Sequence, residues 1–487
     1  MTVPVERLPL RLTPDPGRVI MRFFGTGNVH RARDIIQRVL TIPEPEVEAL
    51  LTALDRDFAP KHQELFEVFA EHAERIRGMI PGDAQLSETR RLLLGACFTM
   101  EYALESVALF NPSIVPALRQ DGVPAGSVRF VMSLRATGEG HISSIVFRVG
   151  VLDADGAIRL EPVASSPRPL KESVPDEFHK ATFQRDLVAL DIPLEQAARI
   201  LDRLPERFAR RQFFEAIDAA RREEQASGFR EQAADSLIAA TQVNYQLHLP
   251  NPPFSRESEI VIFPFSDIER HGIEDLRLVQ FTDEEGARAY FGTFTAYNGV
   301  RVFPQLLEYR GGSTIEVRLI TGKCAQNKGM ALFPRRIRGK YAMISRIDNE
   351  NLYYMESDEV DVWDEARLLQ TPRYPWQVIQ IGNCGSPLET EQGWLLMTHG
   401  VGPMRQYCIG ATLLDRDDPS RIIGQTPEPL LMPAGEARWS GYVPNVVYSC
   451  GAMIHQRKLI VPYAISDLTT SAVRIDLDAL LASLERP

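Results

Sequence analysis

The segment HGIEDLRLVQF (His271–Phe281) sets Glu274 and Asp275 side by side, with Arg277 two residues beyond the second carboxylate. Carboxylates can hold or deliver protons, and a nearby guanidinium favours the ionised form. Neighbouring side chains of an extended strand leave opposite faces. The spacing therefore predicts that only one of Glu274 and Asp275 faces a common site, with Arg277 on the side of Asp275. A surface ion-pair cluster has the same spacing and is the commoner arrangement. Other polar residues close apolar, alternating segments at one phase, among them Arg135, Tyr297, Arg346 and His399. Each alone could bond to a neighbouring loop; their recurrence points to one shared pocket.

The elements that would position them are strands. Val128–Thr137, Arg288–Tyr297, Lys340–Arg346, Trp394–Gly400 and Lys458–Ser466 all alternate with the strand period of two. The last four begin at 288, 340, 394 and 458, intervals of 52, 54 and 64 residues. Those are lengths of a propeller blade of about four strands. The first interval, 160 residues, becomes one blade if a helical block at about 171–246 is an insertion. The predicted fold is mainly β: a five-bladed β-propeller over 106–475, an N-terminal helical region over 1–105, and a C-terminal helix over 476–487. Within the N-terminal region, SETRRLLLGACFTMEYALESVAL reads as helix opened by Ser87. GTGNVH (25–30) lacks the third glycine and preceding strand of a dinucleotide loop and reads as a turn into a helix.

Composition narrows the class. The 487 residues are 44% hydrophobic and 24% charged, as in globular proteins. A net charge of −11 speaks against nucleic acid or an anionic membrane as partner, yet permits a local cationic pocket. No run of 18 apolar residues occurs, and the opening MTVPVERLPLRL has no secretory apolar core, which predicts a cytoplasmic location and no membrane span. Five scattered cysteines without a CxxC pair imply neither a disulfide framework nor a zinc site. No metal and no cofactor are expected.

GIEDLR followed by TAY (Thr295–Tyr297) resembles the Gly-x-Glu-Asp-Pro-Arg … Tyr-Thr-Ala-Tyr signature of glycoside hydrolase family 130, the β-mannoside phosphorylases and related β-mannosidases. FNPSIV (Phe110–Val115), NKGMALFPRRIRGKYAMISR (Asn327–Arg346), GWLLMTHGV (Gly393–Val401) and YVPNVVYSCGAMI (Tyr442–Ile454) are similar to further family segments, in order. Together they cover roughly 106–470, and the family's fold is a five-bladed propeller.

The resemblance implies an inverting enzyme with Asp275 as general acid, acting through a hydroxyl of the bound mannose; Leu276 replaces the family's usual Pro. It implies phosphate binding by Arg277, Arg318, Lys328, Arg346, His399 and Tyr407. For the mannosyl unit it points to Asn111, Ser113, Arg135, Ser144 and Asp467, and the ring of Tyr297 is a candidate to stack on a sugar face. The many cations favour phosphorolysis of a β-mannooligosaccharide, with inorganic phosphate as co-substrate and α-mannose 1-phosphate as product. Hydrolysis would need a second carboxylate roughly 6.5–9.5 Å from the acid, and only Asp467 and Glu139 offer themselves. A non-catalytic mannoside-binding propeller is the third alternative. The helical N-terminus resembles the larger members, some acting on β-1,2 linkages, and the helical regions are expected to offer a homo-oligomer interface.

Overall fold

In the computed structural model, residues 3–62, 64–82, 86–163, 167–227, 231–250, 257–435 and 439–486 are described. The chain is mainly β. Five sheets follow one another along it, each headed by a leading strand: Ala108–Pro116, Ile273–Thr282, Ala331–Leu332, Gln380–Asn383 and Val447–Tyr448. The fifth sheet is completed from the far end of the chain, where Val5–Arg7 pairs antiparallel with Thr469–Asp476.

Five apolar cores hold the sheets together, each between successive sheets. Val131, Ile145, Leu278 and Phe294 join the first to the second, and Phe291, Leu306, Met343 and Trp363 the second to the third. Ile344, Tyr354, Trp394 and Leu396 join the third to the fourth, and Leu395, Ile409, Val461 and Val473 the fourth to the fifth. The remaining core packs Ile460 and Ala472 of the fifth sheet against Phe130 and Met132 of the first. Each large side chain removed from water here contributes about 1.5–3 kcal/mol.

All five segments expected from alternation are strands, and each is the second strand of its sheet: Val128–Thr137, Arg288–Tyr297, Tyr341–Ser345, Gly393–Gly402 and Lys458–Ile465. All ten residues of Gly393–Gly402 are buried, because the strand has a sheet on either face. The site residues come mainly from the leading strands, one place ahead of the segments that alternation had singled out.

Lys171–Ser173 and Tyr245–His248 pair and extend the outer edge of the second sheet. Between them run helices Lys180–Ala189, Leu194–Leu201, Arg210–Ser227 and Glu231–Ala240, with their own core around Phe183, Ile200, Phe213 and Leu237. The N-terminal region holds helices Val29–Leu40, Glu44–Phe58, Leu65–Arg75 and Glu88–Cys97. Ser87 caps the last, accepting from Arg90 N at 3.1 Å, and Asn28 caps the first. The wholly helical reading needs one correction. Thr99–Glu105 is a strand paired with Asp15–Phe23, so the helices stand on a two-stranded ribbon. The end of the chain forms helix Leu477–Ser483. Among the described residues, no helix is long and apolar enough to cross a membrane.

Candidate active site

The leading strands of the first two sheets share a local distortion. Phe110 pairs with Arg135 and Ser113 with Ser133, leaving Asn111 and Pro112 opposite one residue. Glu274 pairs with Thr295 and Arg277 with Thr293, leaving Asp275 and Leu276 likewise. Both are β-bulges, which interrupt alternation and re-aim side chains. Asn111 (φ 48°) and Asp275 (φ 61°) take the left-handed conformation there, which Asn and Asp tolerate better than most residues. The expectation that Glu274 and Asp275 diverge is thereby corrected: the bulge lets both meet Arg135, whose Nη2 lies 2.9 Å from Glu274 Oε1 and whose Nη1 lies 3.7 Å from Asp275 Oδ1. Leu276, in the place of the family's proline, is carried in the bulge.

Asp275 is buried and accepts a hydrogen bond from Asn111 Nδ2 at 2.7 Å. Burial alone would raise its carboxyl. The charges of Arg135, Arg277 and Lys328, with the Asn111 amide, outweigh that and hold it below the ordinary carboxylate value. Asp275 is therefore a carboxylate in the free protein. Asp467 (φ 49°) belongs to the same electrostatic neighbourhood and behaves oppositely. Burial pushes it up to about 7 against the pull of Arg135, with Asp275 and Glu274 adding repulsion.

The cations lie beside the carboxylates. Arg277 is fully buried and donates from Nη1 to the carbonyl of Asp275 at 3.1 Å, from Nη2 to Tyr448 Oη at 2.6 Å and from Nε to Asn383 Oδ1 at 3.3 Å. Lys328, with 38% of its side chain exposed, pairs with Glu274 Oε2 at 2.5 Å. Arg346 is buried; its Nη1 reaches His399 Nε2 at 3.1 Å, while its Nε has no hydrogen-bond partner among the described residues.

His399 departs from the role expected of it. Its Nδ1 lies 3.2 Å from the carbonyl of Asn383, which can only accept, so Nδ1 carries the proton and Nε2 accepts from Arg346. Burial, then Arg346 and Arg277, push the imidazole well below its ordinary value. It is a neutral support for Arg346, not a further cation. Tyr407 stacks on it, ring centroids 5.8 Å apart.

Four expectations are corrected or narrowed. Arg318 lies on Thr314–Leu319, the fourth strand of its sheet, paired with Glu308 and Asp361 and away from the Asp275 cluster. Ser144 pairs with Ala136 on the face opposite Arg135; its neighbour Ser143 accepts from Arg135 Nε at 2.9 Å. Ser113 is spent within the fold, accepting from Leu278 N at 3.1 Å. Tyr297 donates to the Gly299 carbonyl at 2.8 Å and meets His271 edge-on. Asn383 and Tyr448 were missed. Neither lies in an alternating run; Asn383 sits among small residues in IGNCGS, and Tyr448 falls within the family-like segment YVPNVVYSCGAMI without being marked by type or spacing.

Carboxylates, amides and buried guanidinium groups from several sheets meet around Asp275. A family model described as beta-1,4-mannooligosaccharide phosphorylase matches residues 226–486, and the chain belongs to glycoside hydrolase family 130. It is 28% identical over 242 residues to a beta-1,2-mannobiose phosphorylase of Listeria innocua, covering 48% of this chain and 65% of that one. Over 154 residues it is 34% identical to a 1,2-beta-oligomannan phosphorylase of a Thermoanaerobacter species, covering 31% and 51%. The chain thus spans between half and two thirds of the length of these relatives. The structure of beta-1,2-mannobiose phosphorylase from Listeria innocua in complex with beta-1,2-mannobiose superposes with a TM-score of 0.46 at 19% identity, over 79% of this chain and 93% of that one.

Proposed function

We propose that this chain is a cytoplasmic β-mannoside phosphorylase, acting on β-mannooligosaccharides and inorganic phosphate and releasing α-mannose 1-phosphate with inversion. The observation that carries this reading is Arg277 and Lys328 beside Asp275, with Arg346 held on His399 near Arg277 and its buried Nε still unpartnered. A buried donor left unpaired costs about 1–3 kcal/mol, and a phosphate oxygen would pair it. The curated relatives named as 1,2-linked phosphorylases favour a β-1,2 substrate.

The five sheets, joined in sequence by five cores with the last core between sheets five and one, support a five-bladed propeller with the site on its axis. In this arrangement Arg135, Asn111 and Asp467 hold the mannosyl hydroxyls. Phosphate oxygen attacks the anomeric carbon as the bond to the leaving oxygen breaks. The proton for that oxygen comes from Asp275, relayed by a mannose hydroxyl. Asp275 must first be protonated, and a bound dianion would neutralise the cations that keep it ionised. The helical regions would form a dimer interface; a monomeric mass by light scattering would remove that part.

Asp467 favours a second reading, inverting hydrolysis, since it is a further carboxylate of the same centre with its proton held to about 7. One assay separates them: β-1,2- and β-1,4-mannobiose, each with and without phosphate, chromatographed for products. Mannose 1-phosphate formed only with phosphate is the expected result. Free mannose irrespective of phosphate would replace phosphorolysis by hydrolysis.

A further inference from the structure

We propose that Asn383 is a positioning residue that locks Arg277, Arg346 and the Lys328 segment into one anion-binding set. It ends the leading strand of the fourth sheet and is 1% exposed. Its Oδ1 accepts from Arg277 Nε of the second sheet at 3.3 Å and from Gly385 N at 3.3 Å. Its Nδ2 donates to the carbonyl of Gly329, the residue after Lys328, at 2.5 Å. Its own carbonyl accepts from His399 Nδ1 at 3.2 Å, and His399 Nε2 in turn accepts from Arg346. One residue thus bonds directly to Arg277 and to the backbone beside Lys328, and reaches Arg346 through His399.

The chemistry of the partners dictates an amide. Arg277 Nε and Gly385 N can only donate, and the Gly329 carbonyl can only accept, so the position needs an acceptor and a donor in one short planar group. Aspartate supplies no donor and would set a charge against Arg277. An apolar isostere would leave a guanidinium and a carbonyl unpaired in the interior. The imidazole has little freedom: a β-carbon at Gly382 would fall 2.3 Å from His399 Cε1. A guanidinium held from behind keeps its outward N–H groups aimed at one place, which is how a small displacement becomes a large loss of affinity.

The proposal rests on the reading that these cations bind phosphate. Its test is calorimetric titration of inorganic phosphate into wild type, Asn383→Ala and Asn383→Asp, with steady-state kinetics alongside. Phosphate affinity should fall ~10-fold or more in both variants, with Asn383→Asp the worse, while KM for mannobiose stays within about twofold. The nearly isosteric Asn383→Asp guards against failure of the alanine variant to fold, and near-ultraviolet circular dichroism checks both. Folded variants binding phosphate like wild type, or losing phosphate and mannobiose equally, would overturn the role of Asn383 alone. A wild-type protein that binds no phosphate would overturn the phosphorylase reading, and this proposal with it.

Discussion

Asn111 Nδ2 lies 2.7 Å from Asp275 Oδ1, and the two residues, 164 apart in the chain, occupy matching bulges of adjacent sheets at φ 48° and 61°. Backbone of this kind costs roughly 1–3 kcal/mol per residue and persists where surrounding contacts over-determine it. Here the contacts are the amide–carboxylate bond and Arg135, which grips Asp275 and Glu274 together. Asn111 Oδ1 is buried without a partner among the described residues, and a mannose hydroxyl would satisfy it. The pair is thus a device that spends backbone strain to aim one carboxylate.

Asp275→Asn should lower kcat for mannobiose by ~10²–10⁴ while leaving mannobiose affinity nearly intact. An aryl mannoside, whose leaving group needs no proton, should recover part of the loss. Kinetics on both substrates check this, and undiminished turnover of mannobiose would remove Asp275 as the acid.

Arg346→Ala and His399→Ala should each raise KM for phosphate, and the double variant should be no worse than Arg346→Ala. The imidazole acts through the guanidinium, so the effects share one path and cannot add. A double-mutant cycle measures it; additive losses would mean that His399 contacts the anion directly.

Phosphate binding should take up a proton. Free Asp275 is ionised because Arg135, Arg277 and Lys328 overcome its burial. Glu274, Asp467, Tyr448 and Cys450 also face this centre. A dianion among the cations cancels their field but not the burial, so the carboxyl rises and protonates. Turnover should accordingly fall as pH climbs through that raised value. Titrations near pH 8 in two buffers of different ionisation heat should show the uptake in wild type and Asp467→Asn but not in Asp275→Asn. Binding without uptake would mean that Asp275 acquires its proton by another route.

Asp186, outside the site, predicts a stability effect. It is buried where the insertion meets the second sheet, accepts from Asn244 Nδ2 at 2.7 Å, and burial pushes it up to about 8. Unfolded, it titrates near ~3.9. Between these values the folded chain keeps a proton that the unfolded chain releases, so this group makes stability fall as pH rises through the window. Asp186→Asn should be the more stable form near pH 8 and nearly equal to wild type near pH 4, by denaturant midpoint. An unchanged pH dependence would exclude Asp186 as its source.

Much of this protein was legible in its sequence. Period-two patterning located the second strand of each of the five larger sheets, two of them to the residue. Ser87 announced its helix, because a cap is a property of a few adjacent residues. Motif order placed Asp275, Arg277, Lys328 and Arg346 together. What lay beyond reach depended on distances between strands of different sheets. Arg277 and Arg318 are alike in type and setting, yet one stands on a leading strand and the other on a fourth strand bound to Glu308. Alternation sent Glu274 and Asp275 apart, whereas a bulge secured by Asn111 and Arg135 brought them together. His399 looked cationic by residue type and is neutral because it is buried against Arg346. Local periodicity is written in neighbouring residues; proximity, burial and charge state arise only when apolar cores press separate sheets together.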